Sequence, residues 1–184
     1  MESDYAVELG PDDETLDFPW SAPDDHGPRY YDLKRNPDLL SRIEEAQREP
    51  QLGEFLKAVN SPATPLETAK CDTWSTTDLN PEEDIFRATH KFGSYIDLLF
   101  SSGQRFSFEQ NENLARHLAQ LLKRVPEIPA SAEFLIRRCY FADAEGYYIT
   151  FYLFGYGEDE QKAHQQWTIG LKLVEHAVRQ ATAC

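Results

Sequence analysis

Apolar side chains recur every three or four residues in several stretches of the chain, which is the period of an amphipathic helix. The spacing predicts a short helical pair over 37–59 and two longer helices over 107–125 and 158–180. Asn36-Pro37 precedes the pair, where asparagine can cap a helix and proline suits its first turn. Ser107-Phe108-Glu109-Gln110 has the pattern of a capping box and opens the first long helix.

Between these helices the apolar positions alternate with polar ones, which is the period of a β-strand. The pattern predicts five strands, over 70–77, 85–92, 95–101, 134–141 and 147–154. Gly93-Ser94 separates the second strand from the third and is typical of a two-residue type II′ turn. Residues 142–146 are predicted to form a five-residue loop between the last two strands.

The predicted element order is α-α-β-β-β-α-β-β-α. Hairpins with interspersed helices indicate an α+β fold, here a mostly antiparallel sheet of about five strands with the two long helices on one face. A length of 184 residues suits one domain. We expect it to consist of an acidic N-terminal arm (1–32), the helical pair (37–59) and a core of sheet and helices (70–184).

The hairpin predicted over 134–154 is apolar on both faces. A register that sets Phe141 near Tyr147 gives one face Leu135, Cys139, Phe141, Tyr147, Ile149, Phe151 and Leu153, and gives the other Phe134, Ile136, Tyr140, Tyr148, Tyr152 and Phe154. Such strands are normally covered on both sides. The long helices cover one face, and we expect arm residues 16–31 to cover the other. A second copy of the chain or a partner is the alternative.

Charge is distributed unevenly along the chain. The whole sequence has 32 acidic and 18 basic side chains, for a formal net charge of −14. Residues 1–32 hold ten acids against the single base Arg29, which is −9 of that total. A field of this sign repels phosphate backbones, so we expect no nucleic-acid partner. It favours solubility, and it could also steer a basic protein partner.

Three cysteines, Cys71, Cys139 and Cys184, are widely spaced and form no CxxC pair. This pattern favours neither a disulfide framework nor a zinc site, and it fits a reducing compartment. The sequence has no apolar run of membrane-spanning length and no apolar segment behind its acidic N-terminus. We therefore expect a cytoplasmic protein without membrane association. The sequence leaves the choice between monomer and homodimer open.

One acid–base pair can be named from the predicted register. The Gly93-Ser94 turn would set His90 directly across from Asp97, and a histidine oriented by a carboxylate is half of a catalytic triad. An ordinary cross-strand ion pair is the competing interpretation. The sequence contains no G-x-S-x-G nucleophile motif and no H-E-x-x-H metal motif. We assign no catalytic residue, metal or cofactor, and His90 and Asp97 stay candidates for a catalytic role.

Adjacent arginines within a predicted strand form the other notable feature. Arg137 and Arg138 would point to opposite faces, and each needs a carboxylate partner or a path to solvent. One of them could anchor an anionic ligand near Tyr148 and Tyr152. The four residues are therefore candidates for ligand binding.

Two hypotheses on function remain open. The first is a non-catalytic acidic binding module with a basic protein partner, as in inhibitors and immunity proteins. The second is a small enzyme or ligand-binding domain with a cleft near His90, Asp97 and an arginine. The first is favoured because the sequence shows no catalytic spacing.

Overall fold

The structure is a computed structural model that describes residues 1–21, 27, 29–80, 83 and 86–182. In this part of the chain, a six-stranded sheet forms the centre of the fold. The strands are β1 (Glu2–Val7), β2 (Thr15–Phe18), β3 (Leu66–Thr76), β4 (His90–Phe100), β5 (Ala130–Phe141) and β6 (Ala144–Gly157). Their order across the sheet is β1-β5-β6-β4-β3, and β2 follows β1 along β5.

The helices lie between and after the strands in sequence. They are α1 (Glu44–Arg48), α2 (Pro50–Val59), α3 (Phe108–Leu122) and α4 (Glu160–Thr182), with short 3-10 helices over Pro37–Arg42 and Gly103–Phe106. Ser107 caps α3, since its hydroxyl accepts a hydrogen bond from the Gln110 amide at 3.3 Å. The fold is mixed α+β with a mostly antiparallel sheet, as the sequence predicts.

The acidic arm supplies two of the strands, whereas the sequence pattern predicts no strand within residues 1–32. β1 runs parallel to β5 with Tyr5 opposite Phe134, and β2 continues with Leu16 opposite Cys139. The sheet therefore has six strands rather than about five, and the order of elements begins with strands rather than helices. Arm residues 22–26 and 28 lie outside the described residues.

β4 is one continuous strand, so the hairpin predicted around Gly93-Ser94 is wrong. Gly93 pairs with Trp74 on one side and with Phe154 on the other. The glycine lies within a strand because neighbouring rings pack over its backbone, and it makes no turn. Residue 85, where the first of the two predicted strands begins, lies outside the described part of the chain.

The β5–β6 hairpin turns more tightly than predicted. Phe141 pairs with Ala144 instead of lying near Tyr147, and Ala142 adopts a left-handed conformation with φ of 54°. The predicted register therefore differs from the observed one by three residues. Because side chains alternate between the two faces of a strand, a shift by an odd number grouped each β5 residue with β6 residues that lie on the opposite face of the sheet. In the structure Leu135, Cys139 and Phe141 share a face with Tyr148 and Tyr152.

The main core lies between the helices and one face of the sheet. Phe134 stacks on Phe151 at 5.2 Å, and Phe55 of α2 lies 6.1 Å from Phe151. Trp167 of α4 is completely buried, and its indole donates a hydrogen bond to the Ser94 hydroxyl at 2.8 Å. The buried apolar side chains of α2, α3 and α4 all belong to this one cluster.

Gly155 and Gly157 let α4 pack directly on β6. A Cβ atom at Gly155 would lie 2.1 Å from the Trp167 nitrogen and 2.3 Å from the Ala163 carbonyl oxygen. At Gly157 it would lie 2.4 Å from the Ala163 nitrogen. The sequence Gly155-Tyr156-Gly157 is thus explained by contact between strand and helix backbones.

The other face of the sheet, which we call the second face, is covered at one end by the arm. Leu16 is buried there with Leu99, Cys139 and Tyr148, and Phe18 and Trp20 pack around them. The Trp20 indole donates a hydrogen bond to the Ala69 carbonyl oxygen at 3.1 Å. The arm therefore crosses from the β5 edge to β3. Of the predicted covering segment 16–31, residues 16–20 pack on this face, whereas Tyr31 packs against the main core.

Candidate functional site

The second face is covered at both ends and less completely in its middle. At the end opposite the arm, Phe86 stacks on Tyr156 at 4.3 Å, and Glu83 accepts a hydrogen bond from the Tyr156 hydroxyl at 2.7 Å. Glu83 also forms an ion pair with Lys91 at 2.9 Å. Between this end and the arm lies a cluster of partly exposed rings, which is the candidate site.

Four rings on three adjacent strands form this cluster, which we call the aromatic patch: Trp74, Tyr95, Tyr152 and Phe154. Each ring contacts two others, with centroid distances between 5.9 Å for Trp74–Phe154 and 6.5 Å for Trp74–Tyr95. All four side chains are partly exposed. The patch is a shallow aromatic surface whose shape the strands fix.

Gly93 forms the floor of the aromatic patch. A Cβ atom at this position would lie 2.8 Å from both the Trp74 and the Phe154 rings. The missing side chain therefore lets rings from β3 and β6 meet over the backbone of β4. This contact explains why glycine occupies the middle of a central strand, where it is otherwise unfavourable.

A buried polar network lies beside the aromatic patch. The Thr150 hydroxyl donates a hydrogen bond to Asp97 Oδ1 at 2.8 Å, and Arg137 Nη1 lies 3.3 Å from the same hydroxyl oxygen. Arg137 also forms ion pairs at 2.8 Å with Glu8 and with Glu14 of the arm. Asp97, Thr150 and Arg137 are all buried, so the network ties the arm to the sheet interior.

Asp97 is a nearly inaccessible carboxyl group, only 3% exposed. Burial raises its pKa to about 7, against the opposing effects of the Thr150 hydrogen bond and the positive charge of Lys70. A carboxyl group with this pKa changes its charge near neutral pH, which is unusual outside functional sites. The Asp97 carboxyl is covered by the side chains around it, and it offers little surface to a ligand.

Carboxylates surround the patch at its exposed margins. Asp72 lies on the β3 side, and Glu8, Glu14 and Glu133 lie on the β5 side; we call these four the acidic rim. The pKa of Glu133 is raised by burial and by the charges of Glu8 and Asp4. Arg137 pairs with Glu8 and Glu14, and Arg48 lies 3.8 Å from Asp72, so these two cations face four carboxylates and a further cation placed there would be stabilised.

The cations already present show how the rings interact with positive charge. Lys91 Nζ lies 5.0 Å from the Phe154 ring centroid, and the Arg137 guanidinium lies 5.9 Å from that of Tyr152. Both distances are within the range of cation–π attraction. The ring faces of the patch are thus suited to cationic groups.

Some of the candidate residues that the sequence predicts lie on the second face, and others lie elsewhere. Asp97, Arg137, Tyr148 and Tyr152 all lie on the second face, although Tyr148 is buried beneath the arm. His90 pairs with Gly157 at the end of β4 and contacts the Thr89 hydroxyl, seven residues from Asp97 along one strand. The predicted His90–Asp97 pair is therefore wrong, because the turn that would have formed it does not exist.

The two arginines both have carboxylate partners, as their place in a strand requires. Arg137 is buried with Glu8 and Glu14, whereas Arg138 is partly exposed, 3.9 Å from Glu145. Trp74, Tyr95, Phe154 and Thr150 were not among the sequence candidates. Their alternating spacing on β3, β4 and β6 could have placed them on one face, but only with the correct register.

Comparisons with protein-family models, with curated proteins and with solved structures find no match to this chain. Among the described helices, none combines the length and the apolar character that crossing a bilayer requires. Within the same described residues, no three His, Cys, Asp or Glu side chains are grouped so that they could hold a metal ion.

Proposed function

We propose that the protein is a non-catalytic binding module that recognises a basic protein partner through the aromatic patch and its acidic rim. The observation that carries this proposal is the juxtaposition of four partly exposed rings with four carboxylates on one sheet face. Inhibitors and immunity proteins with basic targets are examples of this mode of action.

The composition of the patch supports a protein partner. Tryptophan and tyrosine are the residues most enriched among those that contribute strongly to protein–protein binding. Here one tryptophan and two tyrosines are held by mutual ring contacts and by Gly93, so little side-chain freedom is lost when a partner binds.

The charge of the patch margin supports a basic partner. Asp72 and Glu14 are about half exposed, with side-chain exposures of 50% and 54%. A lysine or arginine of the partner could lie over a ring and reach a rim carboxylate at the same time, and both interactions favour the cation. The net charge of −14 would add long-range attraction.

Affinity capture from the source cell tests this proposal with two variants. Wild-type protein is expected to retain a basic protein whose binding weakens as salt is raised, because the attraction is partly electrostatic. Trp74→Ala removes a ring of the patch and should abolish capture. Phe106→Ala removes an aromatic side chain that is 47% exposed outside the patch and should leave capture unchanged.

The captured protein is then purified, and its binding to each variant is measured by titration calorimetry. Equal binding by wild type and by folded Trp74→Ala would contradict the proposal, and so would an acidic partner. Thermal melting of each variant shows whether a loss of binding reflects a loss of structure.

Nucleic acid is expected not to bind, for the same electrostatic reason. The excess of carboxylates removes the phosphate attraction that supplies most non-specific affinity. Fluorescence anisotropy with labelled duplex DNA and single-stranded RNA checks this expectation. A salt-sensitive complex at micromolar concentrations would show it to be wrong.

A second candidate function is a small enzyme or ligand-binding domain that uses Asp97 and Arg137. The observation in its favour is the Asp97 pKa of about 7, which would suit general acid–base chemistry. This second candidate function does not use His90. Asp97→Asn distinguishes the candidates, because it should leave partner capture intact if the protein is a binding module.

A further inference from the structure

A pocket of about 320 Å³ lies outside the candidate site, between the end of the arm, α1, α2 and the edge of β3. Its volume is within the range of pockets that hold small organic molecules. The pocket does not include the aromatic patch, and its chemistry is different.

One part of the pocket wall is apolar. Leu33 and Leu56 are buried core residues that reach the pocket, and Ile43 between the 3-10 helix and α1 adds a partly buried side chain. Cys71 also faces the pocket, and burial raises the pKa of its thiol to about 12. The thiol therefore stays protonated at neutral pH and adds to the apolar lining.

The rest of the wall carries charges of both signs. Arg29, Arg42 and Lys70 supply three cations, and Glu44 and Glu45 supply two carboxylates. Lys70 Nζ lies 5.3 Å from the centroid of the Trp20 ring, which also lines the pocket. Among the described residues, no ion pair within 4.0 Å joins Arg42, Lys70, Glu44 or Glu45 to one another or to another side chain.

We propose that this pocket binds a small zwitterion with an apolar body, the chemical class of free α-amino acids with an apolar or aromatic side chain. The ligand's carboxylate would lie toward Arg42 and Lys70, and its ammonium toward Glu44 and Glu45. The apolar body would contact Leu33, Ile43 and Leu56 and replace water along that wall. A ligand with a single charge can pair with only one of the two kinds of charged group on this wall.

Titration calorimetry with three matched probes tests the proposal. L-phenylalanine carries both charges, 3-phenylpropanoate lacks the ammonium, and 2-phenylethylamine lacks the carboxylate. L-phenylalanine is expected to bind at least about tenfold more tightly than either analogue, which is the effect of losing one hydrogen bond between charged groups. Amide chemical shifts should change at Ala69, Lys70 and Cys71, since these residues line the pocket.

Charge-removing variants give the second measurement. Lys70→Gln and Glu45→Gln should each weaken L-phenylalanine binding about tenfold. Lys172→Gln on the exposed side of α4 is the control and should leave it unchanged. If Lys70→Gln lowers the melting temperature, Arg42→Gln replaces it, because Arg42 is exposed.

Three results would overturn the proposal: no binding of L-phenylalanine at millimolar concentrations, equal binding of one single-charged analogue, or shift changes confined to another part of the chain. None of these results bears on the basic protein partner, because the Trp74→Ala variant that tests it lies outside this pocket.

Discussion

Gly155→Ala is expected to destabilise the protein severely. The added Cβ would lie 2.1 Å from the Trp167 nitrogen and 2.3 Å from the Ala163 carbonyl oxygen, both of which are backbone atoms of α4. A backbone cannot rotate away as a side chain can, so the whole of α4 must shift and its contacts in the main core must loosen. We expect a cost of at least about 3 kcal/mol, at the upper end of the usual range for overpacking.

Thermal unfolding followed by circular dichroism measures this effect. A cost of that size lowers the melting temperature of a chain of this length by roughly 10 °C. Gly103→Ala is the matched control, because a Cβ there has no atom within 4 Å and should change the melting temperature little. Equal melting temperatures for wild type and Gly155→Ala would show that α4 lies further from β6 than the structure places it.

The contact at Gly155 also shows what the sequence could reveal and what it could not. The stripe on α4 and the cap on α3 are local features, and both helices were predicted within three residues of their bounds. A glycine pair before a helix was a visible signal as well. The sequence alone could not show that the helix folds back onto those glycines, because that contact depends on tertiary packing.

The failed prediction at Gly93-Ser94 has a related cause. Glycine followed by serine between two alternating segments is the pattern of a type II′ turn, and also of a strand over which large side chains pack. What distinguishes the two is the position of Trp74 and Phe154, residues 19 and 61 positions away in sequence. The predicted His90–Asp97 pair depended on this turn, so it is wrong for the same reason.

The arm was partly predictable. Its apolar residues indicated that it would cover a sheet face, and Leu16 and Phe18 do so. Its acidic, proline-rich composition argued against strands, yet β1 and β2 both pair in parallel with β5, more than 120 residues away. A short edge strand needs little intrinsic propensity when its partner strand is fixed by the core.

The candidate site was also only partly predictable from the sequence. Arg137 in a strand was recognised as needing a carboxylate, a requirement that follows from burial alone. Its partners Glu8 and Glu14 come from the arm, and no local pattern connects them to it. The aromatic patch likewise required the register of three strands, one of which was predicted as a hairpin.

Asp97→Asn is expected to stabilise the protein above neutral pH and to lose that advantage in acid. Burial raises the pKa of the folded Asp97 carboxyl to about 7, whereas an unfolded aspartate has a pKa of about 3.9. The folded state therefore binds the proton more tightly. Its stability falls as pH rises from about 4 to about 7 and then stays low, because a buried charge must be maintained.

Asparagine has no such charge, and its carbonyl oxygen can still accept the hydrogen bond from Thr150. At pH 8 the variant should be more stable than wild type by on the order of 3 kcal/mol, and near pH 4 the two should be nearly equal. Urea unfolding at both pH values measures the difference. Asp72→Asn, a half-exposed carboxylate on the neighbouring strand, is the control and should change stability by less than about 1 kcal/mol at either pH.

The opposite result is also informative, because Asp97 has charged neighbours on every side. Lys70 of β3 and Arg137 of β5 favour its carboxylate, while Glu14 of the arm disfavours it. If Asp97→Asn is less stable than wild type at pH 8, the two cations compensate the buried charge, and Asp97 is an ionised partner of Arg137. If the variant is more stable, as we expect, the wild-type chain keeps a carboxyl group that weakens its own fold above neutral pH.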